Sequence, residues 1–244
     1  MKTAIVTGST KGIGLAISTA LLGRGYFVFM NYANDSENAE AVKSKLSREY
    51  PGKFAVIHQP LETKEDVRRF HDEFTGHDEA GSGVDLLVLN AGCTDRAKWT
   101  ELTWEKFSHV MDVNVNAPAE LIRKFDGNLN NGGNIIMISS AMSVYPHAVS
   151  VPYTVSKSAV NGLTLALVKE YCGRNIRVNA ILPGFVNTPW QKAKPEEQRQ
   201  RICGKVALHR FAEPEEIAQA VMAIIDAGYI NGALIPVDGS YCYS

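Results

Sequence analysis

Tyr153 and Lys157 are the residues whose types and spacing fit proton-transfer chemistry. They follow Pro152 and lead into an apolar segment, 158–167, that predicts a buried helix. Residues four apart on a helix project from the same face, so the phenol and the ammonium would lie together. A nearby ammonium favours the phenolate and is expected to lower the pKa of Tyr153, which suits a general acid or base. An isolated Tyr-x-x-x-Lys is more often an ordinary pair on a helix surface. Whether this pair belongs to an active site therefore depends on the other motifs of the chain.

A glycine-rich segment near the start of the chain favours phosphate binding. It lies between a short apolar strand, 4–6, and a segment with helical spacing of apolar residues, 13–22. A strand, a glycine-rich turn and a helix together present backbone N–H groups and a helix N-terminus to a phosphate. The spacing G-x-x-x-G-x-G differs from the general G-x-G-x-x-G fingerprint, so an ordinary βα turn stays an alternative. The candidate cofactor residues of this turn are Gly8, Ser9, Thr10, Lys11, Gly12, Ile13 and Gly14.

The residues after the predicted second strand, 26–30, favour NADP(H) over NAD(H). An acidic residue at this place would bind the ribose hydroxyls and repel a 2′-phosphate. The chain instead has the uncharged segment Asn31-Tyr32-Ala33, and Lys11 supplies a cation nearby. Asp35 is the counter-argument, since its carboxylate could reach the same ribose.

Composition argues against several classes of partner. With 25 basic and 26 acidic side chains in 244 residues, the chain has no excess of charge for nucleic acid or a membrane surface. The four cysteines show no C-x-x-C spacing, and the histidines are scattered, so no metal site is predicted. The N-terminus opens directly with a strand, and no apolar run reaches membrane-spanning length. We therefore expect a cytoplasmic, soluble protein.

Strands and helices alternate along the sequence, which predicts an α/β fold. We expect a single doubly wound (Rossmann) domain over residues 1–244, with a seven-stranded, mainly parallel sheet flanked by helices. The segment 102–125 is predicted as one long helix, and the polar segment 188–210 as a flexible substrate flap. In such a sheet the carboxyl ends of parallel strands meet at one crevice. Gly8, Asn90 and the serines ending the predicted fifth strand, 135–140, should face that crevice together.

Together these segments resemble the short-chain dehydrogenase/reductase family over nearly the whole chain. The matching motifs are Thr7-Gly8-x-x-x-Gly12-x-Gly14, Asn90-Ala91-Gly92, Tyr153-x-x-x-Lys157, and Pro183-Gly184 with Thr188. Ser140 lies thirteen residues before Tyr153, as the catalytic serine commonly does, and Asn114 matches the asparagine of the family tetrad. Within the family, the segments 91–94 and 210–218 are most similar to 3-oxoacyl-(acyl-carrier-protein) reductases.

The resemblance implies a mechanism. NADPH would give a hydride to a ketone, Tyr153 would protonate the alkoxide, and Ser140 would hydrogen-bond the same oxygen. Lys157 would lower the pKa of Tyr153 and bind the nicotinamide ribose, while Asn114 would hold a water that relays protons. Pro60 stands where many members have an aspartate, which leaves adenine recognition to the backbone or to Leu61. The implied cofactor-binding residues beyond the glycine turn are Asn31, Tyr32, Ala33, Leu61, Asn90, Ala91, Gly92, Tyr153, Lys157, Pro183, Gly184, Val186 and Thr188.

A 3-oxoacyl thioester, on acyl-carrier protein or coenzyme A, is the favoured substrate. Arg174 matches a basic residue that holds an acidic carrier, but the segment 131–134 lacks the second. The alternatives are a reductase of another small carbonyl, such as a sugar, steroid or quinone, and a non-catalytic dinucleotide-binding sensor. Loop aromatic residues that could line a small-carbonyl pocket are Trp99, Tyr145, His147 and Trp190. The apolar helix 153–167 predicts a homodimer or homotetramer.

Overall fold

One seven-stranded sheet organises the chain. The structure, a computed structural model, describes residues 1–146, 150–192 and 194–241, without the side chain of Lys192. All strand pairs are parallel, in the order β3-β2-β1-β4-β5-β6-β7. This confirms the predicted doubly wound α/β class. The strands are β1 (Thr3–Val6), β2 (Phe27–Tyr32), β3 (Phe54–His58), β4 (Val84–Leu89), β5 (Leu129–Ile138), β6 (Arg177–Pro183) and β7 (Leu234–Val237).

Helices cover both faces of the sheet. They are α1 (Gly12–Gly23), α2 (Ser36–Glu49), α3 (Lys64–Thr75), α4 (Trp104–Met111), α5 (Ala117–Lys124), α6 (Val151–Tyr171), α7 (Pro189–Lys192), α8 (Glu196–Cys203) and α9 (Pro214–Asp226). On one face α1, α2 and α9 bury a cluster that includes Ile17, Leu46 and Val221. On the other face α3, α5 and α6 bury Phe70 and Val160. Because both faces are covered, β1 is fully buried, as a central parallel strand should be.

The long helix predicted over 102–125 is present from Trp104 to Lys124, but a π turn interrupts its α-helical hydrogen bonding. A π turn, Asp112–Asn116, separates α4 from α5, and the N–H of Ala117 donates to the carbonyl of Asp112. Pro118 supplies a physical reason, since it has no N–H to give to the carbonyl four residues earlier, that of Asn114. The main-chain carbonyl of Asn114 therefore lacks the donor that an α-helix would supply. π turns of this kind often mark functional positions in helices.

Helix α6 begins two residues before Tyr153. The hydroxyl of Ser150 accepts from the N–H of Tyr153 over 3.2 Å, which caps the first turn. The helix buries Ser156 and Lys157 but leaves Leu165 half exposed. The predicted fifth strand differs slightly, because β5 ends at Ile138 and both serines follow it.

The segment 188–210 contains α7 and α8 and lies beside the crevice. Its flexibility stays a prediction, and residue 193 is outside the described ranges. None of the helices in those ranges is both long and apolar enough to cross a membrane.

Candidate active site

A cavity of about 470 Å³ lies at the carboxyl ends of the strands. It occupies the point where the strand order reverses between β1 and β4, which is where doubly wound sheets bind ligands. Its wall brings most of the predicted site residues together, as the sequence indicated. They are Gly8, Thr10, Lys11, Gly12, Ile13, Asn31, Tyr32, Ala33, Leu61, Asn90, Ala91, Gly92, Ser140, Tyr153, Lys157, Pro183, Gly184, Val186 and Thr188. Three predicted residues, Ser9, Gly14 and Asn114, lie behind the wall.

The glycine turn fits the phosphates of a dinucleotide. Gly8 and Gly12 have φ values of 59° and 55°, a left-handed conformation that favours glycine. A Cβ on Gly14 would lie 2.4 Å from the carbonyl oxygen of Gly8 and 2.6 Å from Asn90 Nδ2. Lys11 precedes α1 without a side-chain cap, so no side chain satisfies the first N–H groups of this helix. A phosphate at the turn would receive those N–H groups, and the group therefore fits.

Ser9 and Asn31 hold the turn from behind. The N–H of Asn31 donates to Ser9 Oγ over 2.9 Å, and Asn31 Oδ1 accepts from the N–H of Gly8 over 3.2 Å. Asn31 Nδ2 donates to the carbonyl of Gln59 over 2.8 Å. The side chain of Asn31 is thus committed to the protein, so direct contact with an adenine ribose would fall to Tyr32 and the residues after it.

Lys11 and Asp35 form an ion pair at the open end of the cavity. Lys11 Nζ lies 3.3 Å from Asp35 Oδ2, and both side chains are substantially exposed. The other oxygen of Asp35 accepts from the N–H of Asn38 over 3.2 Å and caps α2. The carboxylate that argued against a 2′-phosphate is therefore tied to a helix terminus and neutralised by the cation of the glycine turn.

The Tyr153 hydroxyl reaches the cavity beside Ser140. Burial raises the pKa of Tyr153 to about 12, and a hydrogen bond with Ser140 opposes this rise. The pKa of Tyr153 therefore rises, where the sequence predicted a fall, because the cost of burying a phenolate exceeds the effect of the hydrogen bond with Ser140. Ser140 Oγ accepts from the N–H of Met142 over 3.2 Å, so its own hydrogen can go to the phenolic oxygen of Tyr153 or to a substrate oxygen beside it. The phenol stays protonated at neutral pH, as a proton donor must.

Lys157 is a buried cation, with a relative exposure of only 5%. Its Nζ donates to the carbonyl of Ile138 over 2.8 Å and lies 5.7 Å from the centre of the Tyr153 ring. Burial lowers the pKa of Lys157 to about 8. The remaining N–H groups of this ammonium can serve the cavity, where a ribose hydroxyl would be a suitable acceptor.

Asn114 is 1% exposed and acts from behind the wall. Its amide nitrogen donates to the carbonyl of Cys93 over 3.0 Å and to Ser156 Oγ over 2.9 Å, and its oxygen accepts from the N–H of Cys93 over 2.8 Å. Both amide hydrogens are used, so the side chain has none to donate to the expected relay water. The main-chain carbonyl, deprived of its helical donor by Pro118, is the better acceptor for that water. The proline was the sequence signal for this feature.

Sequence reasoning missed part of the wall. Cys93 lies on it next to the Asn-Ala-Gly motif, and burial raises the pKa of its thiol to about 11, so the thiol stays neutral. Of the aromatic candidates, Trp190 lines the cavity and its ring centre lies 6.3 Å from that of Tyr153. Trp99 is exposed to solvent and lies outside the wall, as does Tyr145. His147 falls outside the described residues.

Arg174 is bound within the chain. Its Nη1 lies 2.9 Å from Asp126 Oδ1, its Nε lies 3.3 Å from Asn131 Oδ1, and its Nη2 donates to the carbonyl of Leu129. A guanidinium held by these groups is less available to an acidic carrier protein.

With this fold and site, the chain belongs to the short-chain dehydrogenase family, which matches residues 2–199. Such enzymes act on CH–OH groups with a nicotinamide cofactor. The chain is 32% identical to the 3alpha-hydroxysteroid dehydrogenase of Mediterraneibacter gnavus, over 98% of this chain and 96% of that protein. It is 31% identical to the 3-oxoacyl-(acyl-carrier-protein) reductase FabG of Aquifex aeolicus, over the same two shares. It is 34% identical to the acetoacetyl-CoA reductase of Rhizobium meliloti, over 100% and 99%.

Solved structures share the fold closely. A short chain dehydrogenase from Burkholderia cenocepacia in complex with NADP superposes with a TM-score of 0.91 at 27% identity, over 99% of this chain and 98% of that one. A blue fluorescent protein from a metagenomic library, in complex with NADPH, superposes with a TM-score of 0.90 at 28% identity, over 98% and 97%. The relatives act on different substrates, so the family is established and the substrate is not.

Proposed function

We propose that this protein interconverts a ketone and a secondary alcohol with NADP(H), and that a 3-oxoacyl thioester is its substrate. The observation that carries the proposal is the hydrogen-bonded pair Ser140 and Tyr153 on a cavity wall that also holds the glycine turn. A non-catalytic dinucleotide sensor would have no use for a buried proton donor at that place.

The chain's own groups perform the proton chemistry. The cofactor supplies the hydride when bound. Ser140 donates a hydrogen bond to the carbonyl oxygen, where negative charge develops. Tyr153 gives its phenolic proton to the same oxygen, and the ammonium of Lys157 stabilises the phenolate that forms. A water on the main-chain carbonyl of Asn114 would return a proton from solvent towards Lys157.

Preference for NADP(H) rests on Lys11. In the present arrangement its ammonium is paired with Asp35, which is itself held by the start of α2. A 2′-phosphate arriving beside Tyr32 would bring a stronger acceptor for this cation than the single carboxylate. The unphosphorylated ribose of NAD(H) would find the Asp35 carboxylate already paired with Lys11, so this carboxylate would be a weaker hydrogen-bond acceptor for the ribose hydroxyls. The NADP and NADPH complexes of two similar structures support the same choice.

A coenzyme A thioester fits better than an acyl-carrier protein. The matched basic residue, Arg174, is held by Asp126 and neighbouring oxygens, and the segment 131–134 offers no second cation. The similarity to acetoacetyl-CoA reductase points in the same direction. The similarity to a hydroxysteroid dehydrogenase keeps reduction of a small cyclic ketone as the second candidate.

A substrate panel tests the proposal. NADPH and NADH oxidation would be followed with acetoacetyl-CoA, acetoacetyl-acyl-carrier protein, simple ketones, ketoses and ketosteroids. We expect turnover with NADPH and highest kcat/KM for acetoacetyl-CoA. Turnover with NADH alone would refute the preference for NADP(H). Turnover confined to steroids or sugars would refute a 3-oxoacyl thioester as the substrate.

Assembly into a homodimer or homotetramer is part of the proposal. Val155 and Leu165 on α6 are 42% and 50% exposed, and Trp104 on the neighbouring α4 is 78% exposed. Exposed apolar side chains on two helices that pack together commonly mark contact with another subunit. Light scattering tests this, and a strict monomer would contradict it.

A further inference from the structure

A second, smaller cavity opens from the catalytic hydroxyls. Its volume is about 110 Å³, and the residues that it shares with the larger cavity are Ser140, Tyr153, Pro183, Gly184, Trp190 and Gln191. No residue of the glycine turn belongs to its wall, so it lies on the side of the reacting groups away from the phosphates. A molecule with its carbonyl oxygen at Ser140 and Tyr153 would extend into it. The wall consists of Thr94, Arg96, Ser140, Ala141, Met142, Ser150, Tyr153, Pro183, Gly184, Phe185, Trp190, Gln191 and Lys194.

The charge of this small cavity is one-sided. Arg96 and Lys194 contribute two cations, and its wall holds no aspartate or glutamate. The larger cavity differs, since Asp35 and Glu62 accompany its lysines. Two cations facing one small space repel each other unless an anion lies between them.

Neither cation is neutralised by the described part of the chain. The side chains of Arg96 and Lys194 have no ion pair or hydrogen bond to a described residue, whereas Arg174 and Arg210, for example, are each paired with a carboxylate. Lys194 is half-buried, and its pKa is lowered by burial and then by the charge of Arg96. Gln191 also lines the wall, and its buried side-chain oxygen, which has no partner among the described residues, can accept a hydrogen bond from a ligand. Two cations without a carboxylate partner among the described residues therefore line the same small space.

We propose that Arg96 and Lys194 bind an anionic group of the substrate, a carboxylate or a phosphate, while its carbonyl lies at Ser140 and Tyr153. The proposal rests on the proposed function and narrows its substrate class. An arginine fork and an ammonium both form charge-assisted hydrogen bonds to such oxygens. A space of about 110 Å³ holds roughly four waters, so a carboxylate would lie only a few bonds from the carbonyl. The phosphates of a thioester tail would instead reach the cations from the cavity mouth.

Two matched pairs of probes separate these sources. Acetoacetate and methyl acetoacetate differ only in the carboxylate. Acetoacetyl-CoA and its phosphate-free analogue, acetoacetyl-pantetheine, differ only in the phosphorylated nucleotide at the end of the tail. NADPH oxidation would be measured with all four probes in the wild type, Arg96→Gln, Lys194→Gln and the control Lys98→Gln. Lys98 lies in the same loop as Arg96, is paired with Glu101 and does not line the small cavity.

We expect each cavity variant to raise KM for the charged member of one pair by about tenfold, which corresponds to one charge-assisted contact. KM for the neutral member and for all probes in Lys98→Gln should change by less than about twofold. An effect within the first pair identifies a keto acid, and an effect within the second identifies the tail phosphates. Equal effects on charged and neutral members, or none, overturn the anion site while leaving ketone reduction intact.

If none of these ketones is turned over, the proposed function fails and binding still tests the site. Calorimetry with 3-hydroxybutyrate, its methyl ester and coenzyme A would be performed on the NADP-loaded protein. Tighter binding of a charged probe that is lost in Arg96→Gln supports the site. No detectable binding of either charged probe, or binding unchanged by the substitution, overturns it.

Discussion

Asn114 donates a hydrogen bond to the hydroxyl of Ser156 over 2.9 Å, and Ser156 donates in turn to the main-chain carbonyl of Tyr153 over 2.7 Å. The π turn is thereby attached to α6 between the proton donor and the lysine. The same amide holds the backbone of Cys93 in the cavity wall. Asn114 is therefore a positioning residue that joins three segments of the site.

Asn114→Ala should reduce kcat and stability together. It leaves the polar groups of Cys93 and Ser156 buried without partners, which costs about 1–3 kcal/mol. Thermal unfolding and steady-state kinetics measure both effects. A positioning role predicts more than a loss of stability. At temperatures well below the melting temperature of the variant, where it is fully folded, kcat should still be reduced while the Kd for NADPH changes little. Asn116→Ala is the control, since the exposed side chain of Asn116 bonds, among the described residues, to Asp112 in the same π turn. Equal kinetics in the two variants would contradict the positioning role.

Gly14→Ala should abolish cofactor binding. The added methyl group would lie 2.4 Å from the carbonyl of Gly8 and 2.6 Å from the amide of Asn90, so the glycine turn must move. The matched control is Gly81→Ala, at an exposed position before β4 where an added Cβ has no neighbour within 4 Å. Alanine restricts the unfolded chain more than glycine does, so this control should keep its stability or gain up to about 1 kcal/mol. Fluorescence titration with NADPH checks both variants, and normal affinity in Gly14→Ala would show that the turn is not the phosphate site.

Lys11→Ala should lower the ratio of kcat/KM for NADPH over NADH by about tenfold, the value of one charged phosphate contact. Asp35→Asn should raise this ratio, because it releases Lys11 and keeps a side chain that caps α2 well. Lys53→Ala controls for general charge, since Lys53 precedes β3 and is outside the cavity wall. A ratio unchanged by both substitutions at the ion pair would mean that the 2′-phosphate binds elsewhere.

Lys157 should make stability depend on pH. Burial lowers its pKa from the ordinary 10.5 to about 8, so between these values the unfolded chain carries a proton that the native chain has lost. Stability therefore rises with pH through this window, and the cost of burying the charge, at most about 3 kcal/mol, is fully present below it. Lys157→Met removes that cost, so its advantage over the wild type in urea unfolding should shrink from about pH 8 to about pH 10. A constant difference would mean that Lys157 is not a buried titrating group.

The backbone requirements of the site could be predicted from the sequence. Gly8, Gly12 and Gly14 are at the positions where a turn needs left-handed geometry or close approach, and the order of strands and helices follows from apolar periodicity. The role of Asn31 in holding the glycine turn could not be predicted, because its bonds to Ser9 and Gln59 depend on how the strands pair in the sheet. The interruption at Asn114 had a signal in Pro118, four residues later.

The electrostatics of the site were less accessible to sequence. Helical spacing placed Lys157 beside Tyr153, but the sign of the pKa change of Tyr153 depends on burial, which only packing determines. The cations of the small cavity, Arg96 and Lys194, are almost a hundred residues apart and belong to no motif. The residues proposed to recognise the substrate therefore could not be predicted from motifs or residue spacing.

The role of Tyr153 is tested most directly by Tyr153→Phe, with NADPH oxidation and NADPH binding measured on the same sample. The substitution removes one oxygen from the cavity wall and leaves the ring, its packing near Trp190 and the glycine turn in place. We predict loss of turnover by at least about a thousandfold, within the range of general acid catalysis, with the Kd for NADPH within about threefold of the wild type. Turnover close to that of the wild type, with the fold intact, would contradict the assignment of Tyr153 as the proton donor.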